Sequence, residues 1–179
     1  IIGASEPIVT ENARCGTGDV QLGAISQTSA TFRWYSLQTG GTLLQTSGVG
    51  VTNNNFTAMG ISSTTTYYVE YTAIGCTSPR VPVVATVNSA PDEPMAINGS
   101  RCGGAGTVLI GASSATATNI LWYAASSGGA PLFAENGVNI SNYTTPSIAV
   151  NTTYYAETNN GTCASTTRTP VNAIVTAGA

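Results

Sequence analysis

The chain has 179 residues and a net charge of −3; only 7% of its residues are charged, all five cations are arginines (Arg14, Arg33, Arg80, Arg101 and Arg168), and it holds neither lysine nor histidine. That inventory offers no basic cluster to neutralise phosphates, which argues against a nucleic-acid partner. It also removes the Ser-His-Asp triad, the Cys-His pair, the His-based zinc site, and Ser-Lys and Schiff-base chemistry.

So little charge leaves solubility to Thr, Ser, Asn and Gly, a composition that suits an extracellular β protein better than a cytosolic enzyme. No apolar run approaches the roughly 20 residues of a membrane helix. No N-terminal signal peptide is recognisable, so secretion implies a processed chain or a piece of a longer one.

In chain order, Pro7-Ile8-Val9-Thr10 reads as a short edge strand, its proline placed where no ladder donor is required. A glycine turn at Arg14-Cys15-Gly16-Thr17-Gly18 follows. Val20, Leu22 and Ala24 alternate with polar or small residues, as a half-buried strand does. Thr31 to Tyr35 alternates too, setting Phe32 and Trp34 on one face and Arg33 and Tyr35 on the other. Gly40-Gly41 turns the chain into Thr42-Leu43-Leu44, and a polar stretch, Asn53-Asn54-Asn55, leads to Phe56 and a weak strand. Thr66 to Tyr71, rich in β-branched and aromatic residues, is the clearest strand, with Tyr67, Val69 and Tyr71 on a shared face. Gly75-Cys76 marks a hairpin and Val81 to Val87 a closing strand. No segment carries a helical period of useful length.

After Asn88-Ser89-Ala90-Pro91-Asp92-Glu93-Pro94, a stretch of linker composition, the pattern begins again. Arg14-Cys15-Gly16 is answered by Arg101-Cys102-Gly103, Trp34-Tyr35 by Trp122-Tyr123, and Gly40-Gly41 by Gly128-Gly129. Thr65-Thr66-Tyr67-Tyr68-Val69-Glu70 is answered by Thr152-Thr153-Tyr154-Tyr155-Ala156-Glu157, and Val83, Ala85 and Val87 by Val171, Ala173 and Val175. Two copies of one structural unit result, residues 1–89 and 90–179. About seven short strands per copy, with one Trp on the third, predict two tandem immunoglobulin-like β-sandwiches, all-β, each with its Trp in the core.

Each copy holds two cysteines at equal separation, 76 − 15 = 61 and 163 − 102 = 61. An even count in a charge-poor β chain reads as structural disulfides and an oxidising compartment. Equal spacing favours Cys15–Cys76 and Cys102–Cys163, each worth about 4 kcal/mol on a chain-entropy estimate. Cys15 precedes the second strand and Cys76 follows the sixth, so the Cα–Cα limit of about 7 Å is the test of that pairing. The rival joins Cys15 with Cys163 and leaves Cys76 and Cys102 to bond neighbouring chains.

Arg-Cys-Gly, Trp-Tyr, Gly-Gly, Thr-Tyr-Tyr-x-Glu and Gly-Cys-Thr-Ser-Pro-Arg, in this order, resemble the immunoglobulin-like repeats of large secreted and surface proteins of Bacteroidota. Gly-Thr-Cys-Ala-Ser-Thr-Thr-Arg departs from that pattern at Cys163. The resemblance implies an extracellular, non-catalytic spacer or adhesive module with no catalytic residue to transfer.

Glu70 and Arg80 stand symmetrically about Gly75, and Glu157 and Arg168 nearly so about Gly161-Thr162, which predicts a cross-strand ion pair in each hairpin. If exposed, each is worth at most about 1 kcal/mol. The other acids, Glu6, Glu11, Asp19, Asp92, Glu93 and Glu135, are scattered. Asp92-Glu93 supplies few oxygens for calcium, and no metal or cofactor is expected. Tyr35, Tyr68, Tyr123 and Tyr155 point outward and are the candidates for surface contact. Asn-x-Ser/Thr sequons occur at Asn55, Asn98, Asn139, Asn142, Asn151 and Asn160 and are not read as occupied. The expected function is a structural or adhesive repeat of a bacterial surface protein, partnered by neighbouring copies or domains of the same protein and able to polymerise into a filament or surface layer. A carbohydrate-binding accessory module of a secreted enzyme, with a cell-surface glycan or protein ligand, is the alternative.

Overall fold

In the computed structural model, residues 4–178 are described, apart from the side chains of residues 116–118. Among them every regular element is a strand, and the chain divides between Asn88 and Ser89 into two compact units. Unit one contains β1 (Ile8–Thr10), β2 (Asn12–Cys15), β3 (Gly18–Tyr35), β4 (Leu43–Thr46), β5 (Val51–Ile61), β6 (Thr65–Ala73), β7 (Cys76–Thr77) and β8 (Val81–Asn88). Unit two contains β9 (Met95–Ile97), β10 (Gly99–Cys102), β11 (Leu109–Tyr123), β12 (Phe133–Thr144), β13 (Thr152–Asn159) and β14 (Thr169–Thr176).

β3 is the spine of unit one. Its first half pairs with β1 and β5, its second with β4 and β6, and the register breaks between Ile25 and Ala30. At that break the Ser26 hydroxyl donates to the Thr28 carbonyl over 2.6 Å. The sequence suggests two strands here, whereas one 18-residue strand bends through both layers. β6 then pairs with β8, and β2 lies parallel on the outer side of β8. Unit two repeats the scheme: β11 pairs with β9, β12 and β13, β13 with β14, and β10 lies parallel on β14.

Alternation along these strands makes the core. Val20, Leu22, Ala24, Phe32, Trp34, Val69, Tyr71, Val83 and Ala85 are buried in unit one, and Ile110, Ile120, Trp122, Ala156, Val171 and Ala173 in unit two. Trp34 stacks on Phe56 at 5.1 Å and Phe56 meets Tyr67 at 5.0 Å; Trp122 stacks on Tyr143 at 5.6 Å and Tyr143 meets Tyr154 edge-on at 5.4 Å. Such ring pairs contribute about 0.5–1.5 kcal/mol each beyond area burial.

The asparagine stretch read as a polar approach to a weak strand lies inside β5, an 11-residue strand. The reason is tertiary: the Trp34 indole N–H donates to Asn54 Oδ1 over 2.8 Å, so a residue disfavoured in strands completes a core side chain's hydrogen bonding. Ser141 does the same for Trp122 at 3.0 Å. The segment read as a linker is tied to unit two. Thr158 donates to the Asp92 carbonyl, Thr167 to the Glu93 carboxylate and the Asn160 amide to the Ser89 carbonyl.

Gly99 opens β10, and a Cβ there would stand 1.9 Å from the Leu109 carbonyl oxygen. Because that obstacle is backbone, Gly99→Ala is expected to lower the stability of unit two by about 1–3 kcal/mol. Chemical denaturation followed through Trp122 in a Trp34→Phe background checks this, and an unchanged midpoint would contradict it.

Candidate functional site

The side chains singled out in the sequence gather at two kinds of place: one polar cluster per unit, and the ends of the sandwiches. The cluster of unit one is built on β3, β6 and the approach to β8. The pairing Val69↔Val81 brings Glu70 opposite Arg80, and Arg80 Nε donates to Glu70 Oε2 over 3.0 Å. The Tyr35 hydroxyl donates to the other carboxylate oxygen over 3.0 Å. The Arg80 guanidinium lies on the Tyr35 ring, 3.3 Å from its centroid. From there it donates to the carbonyls of Leu37, Gln38 and Gly40 in the loop after β3, at 3.0, 3.4 and 2.7 Å. Gly40 and Gly41 take φ of 64° and 73°, which lets that loop fold back under the arginine.

Unit two repeats the arrangement. Arg168 Nε donates to Glu157 Oε2 over 3.0 Å, Tyr123 OH donates to Glu157 Oε1 over 3.2 Å, and the guanidinium lies 3.2 Å from the Tyr123 centroid. Its NH1 donates to the carbonyls of Ala125 at 2.9 Å and Gly128 at 2.8 Å. Burial raises the Tyr123 phenol above its ordinary range, reinforced by the Glu157 charge and opposed by Arg168. All four ion-pair side chains are only 11–17% exposed, so the ceiling of about 1 kcal/mol that holds for exposed pairs does not apply to them. A guanidinium with carboxylate, aromatic face and loop carbonyls all engaged forms a rivet between strand and loop.

The four outer-face tyrosines therefore differ in what they offer. Tyr35 and Tyr123 have a guanidinium on one ring face, and Tyr123 is only 6% exposed. Tyr68 and Tyr155 are half-buried, each in register with a proline, Pro82 and Pro170. Among the described residues no three His, Cys, Asp or Glu side chains converge as a metal site would require.

Sequence reasoning passed over the two serines that close the tips of the sandwiches. Ser78 N donates to the Tyr71 carbonyl over 2.9 Å while its hydroxyl accepts from Tyr71 N over 3.1 Å. Ser165 and Thr158 make the same exchange at 2.8 and 3.3 Å. Their identical position in the two copies is the signal that could have found them.

The cysteines require a correction. Cys76 and Cys102 are free and exposed, whereas Cys15 and Cys163 are disulfide-bonded, so the within-copy pairings Cys15–Cys76 and Cys102–Cys163 do not form. The cause is strand length. Cys15 lies opposite Asn88, beyond the end of β6 where Thr65 meets Ala85; Cys76 lies opposite Ala73 at the other end. At roughly 3.3 Å per residue the nine residues of β6 alone set them about 26 Å apart, far outside disulfide reach. Cys102 opposite Thr176 and Cys163 beyond Asn159 stand at opposite ends of unit two in the same way. Each sandwich thus carries one cysteine at either pole.

The family described as Ig-like domain CHU_C associated matches residues 5–88 and again residues 91–176. No curated protein matches the chain. Among solved structures, the fibronectin(III)-like modules of Clostridium thermocellum CbhA are similar over 95% of both chains at 15% identity, with a TM-score of 0.51. The human OSCAR ligand-binding domain is similar at 15% identity over 94% of this chain and 96% of its own, with a TM-score of 0.40. Titin domains A168–A170 are similar at 14% identity over 96% of this chain and 61% of theirs, with a TM-score of 0.49.

Proposed function

Because the chain belongs to the Ig-like domain family described as CHU_C associated, a family associated with Bacteroidota, and carries that domain twice in tandem, we propose that it is a non-catalytic structural module of the bacterial exterior. The observation that carries this reading is the pair of rivets. Glu70, Arg80, Glu157 and Arg168 are committed to internal bonds that hold a loop to a sheet, at equivalent places in both copies. Side chains so engaged stabilise a scaffold. Cysteines that are disulfide-bonded, in a chain without lysine or histidine, support an oxidising compartment. The guanidinium on Tyr35 and Tyr123 weighs against the carbohydrate-binding alternative, because it occupies a ring face on which a sugar would stack.

Antibody raised against the chain, applied to intact cells of the source organism and to their medium, tests the reading. Labelling of unpermeabilised cells or of secreted material is the expected result. Signal that appears only after the cells are opened would overturn it.

A further inference from the structure

The two bonded and the two free cysteines divide in a regular way. The bonded Cys15 is the first cysteine of unit one and the bonded Cys163 the second of unit two; the free Cys76 is the second of unit one and the free Cys102 the first of unit two. By the 87-residue repeat, Cys102 occupies the position of Cys15 and Cys76 that of Cys163. The free two are therefore one thiol of each kind, at the positions whose counterparts are already oxidised. Neither has a partner within its own unit, because the other cysteine of that unit stands a full strand length away.

We propose that Cys76 of one chain and Cys102 of a second copy form an intermolecular disulfide that links this protein head to tail into covalent arrays. Pole geometry within each unit supports this. Cys76 sits where the chain enters unit one, at the end marked by the bond between Ser5 Oγ and the Tyr71 hydroxyl. Cys102 sits where β14 ends in unit two, with Gly103 N donating to the Thr176 carbonyl. Each unit thus presents one exposed thiol at one of its own ends, and the two are not equivalent positions, so joining Cys76 of one copy to Cys102 of another is a heterologous contact that leaves a thiol free at each side for the next copy. Beside Cys76 lies a depression of about 430 Å³ whose lining includes Ala4, Tyr71, Ala73 and Ile74. Ile74 is 93% exposed at the tip of the β6–β7 hairpin, where φ is 49°, an apolar side chain presented to solvent beside the thiol. Ordinary turn chemistry would place Asn, Asp or Gly there.

Bond formation needs a disulfide oxidant, and oxidised glutathione is the one used in the test. Cys76 thiolate attacks it, takes one glutathionyl sulfur and releases one glutathione. The Cys102 thiolate of the next copy then attacks the Cys76 sulfur, forming the inter-chain bond and expelling the second glutathione. Two protein thiols and one glutathione disulfide become one protein disulfide and two glutathione thiols, and no further oxidant is required.

This inference rests on the structural-module reading, yet it is tested on purified protein, so the two fail separately. The 179-residue chain, with its existing disulfide intact, is treated with oxidised glutathione and run on a non-reducing gel beside Cys76→Ser and Cys102→Ser. Wild type is expected to give a ladder of dimer, trimer and higher species that reductant collapses. Each variant alone is expected to stay monomeric, and their mixture to stop at a dimer whose peptide map contains the Cys76–Cys102 link. Wild type that stays monomeric, or single variants that dimerise as readily as the mixture, would overturn the proposal. If the ladder forms but the chain is found only inside the cell, the module reading fails and the linkage stands.

Discussion

Trp34→Ala is expected to lower the stability of unit one by about 3–5 kcal/mol and to leave unit two folded. Trp34 is fully buried and stacked on Phe56, and its indole N–H is held by Asn54. Truncation opens a cavity between the layers and leaves Asn54 Oδ1 with only its bond from Gln45 Nε2, at 3.0 Å. For a unit of this size the whole stability is roughly 4–13 kcal/mol, so the variant loses a large share of it. Hydrogen exchange resolves the outcome by element: amides of β3, β5 and β6 should lose protection while those of β11 and β13 keep theirs. Simultaneous loss in both units would mean that the two cores do not fold independently, against the separate clusters seen around Trp34 and Trp122.

Arg80→Ala carries the second large effect, a loss of about 2–3 kcal/mol from unit one. The substitution leaves the Glu70 carboxylate, with 15% of its side chain exposed, facing no cation. It also strips three loop carbonyls of their donor and uncovers the Tyr35 ring. Arg80→Lys should recover less than half of the loss, because one ammonium cannot lie flat on a ring while forking to a carboxylate and a loop. Urea denaturation monitored through Trp34 in a Trp122→Phe background measures both, and full recovery by lysine would show that charge alone matters at this position. Glu70→Gln with Arg80 retained gives the complementary arm, since it keeps the shape and removes the negative charge.

Much of this could be read from residue order. Phe32 and Trp34 alternate with Arg33 and Tyr35, and the structure buries the first pair on one face of β3. Glu70 and Arg80 are equidistant from Gly75, and the register of β6 against β8 opposes them. The cap that Asn54 gives Trp34 and the fold-back of the loop at Gly40 were not legible. Both depend on side chains meeting across 20 and 40 residues after the layers have closed. The cysteine pairing misled for a definite reason. Equal spacings of 61 record that the chain was duplicated, not that two sulfurs meet, and only strand length and register show that β6 keeps Cys15 and Cys76 at opposite ends.

The parallel seating of β2 on β8, and of β10 on β14, bears on how each sandwich responds to tension. The chain enters unit one at the Cys76 end and leaves it after β8 at the Cys15 end, so pulling on those two points drags β2 and β8 in opposite directions along their shared ladder. Four residue pairs, from Asn12↔Ala85 to Cys15↔Asn88, then resist in shear and must yield together, where a hairpin pulled from its open end would unzip rung by rung.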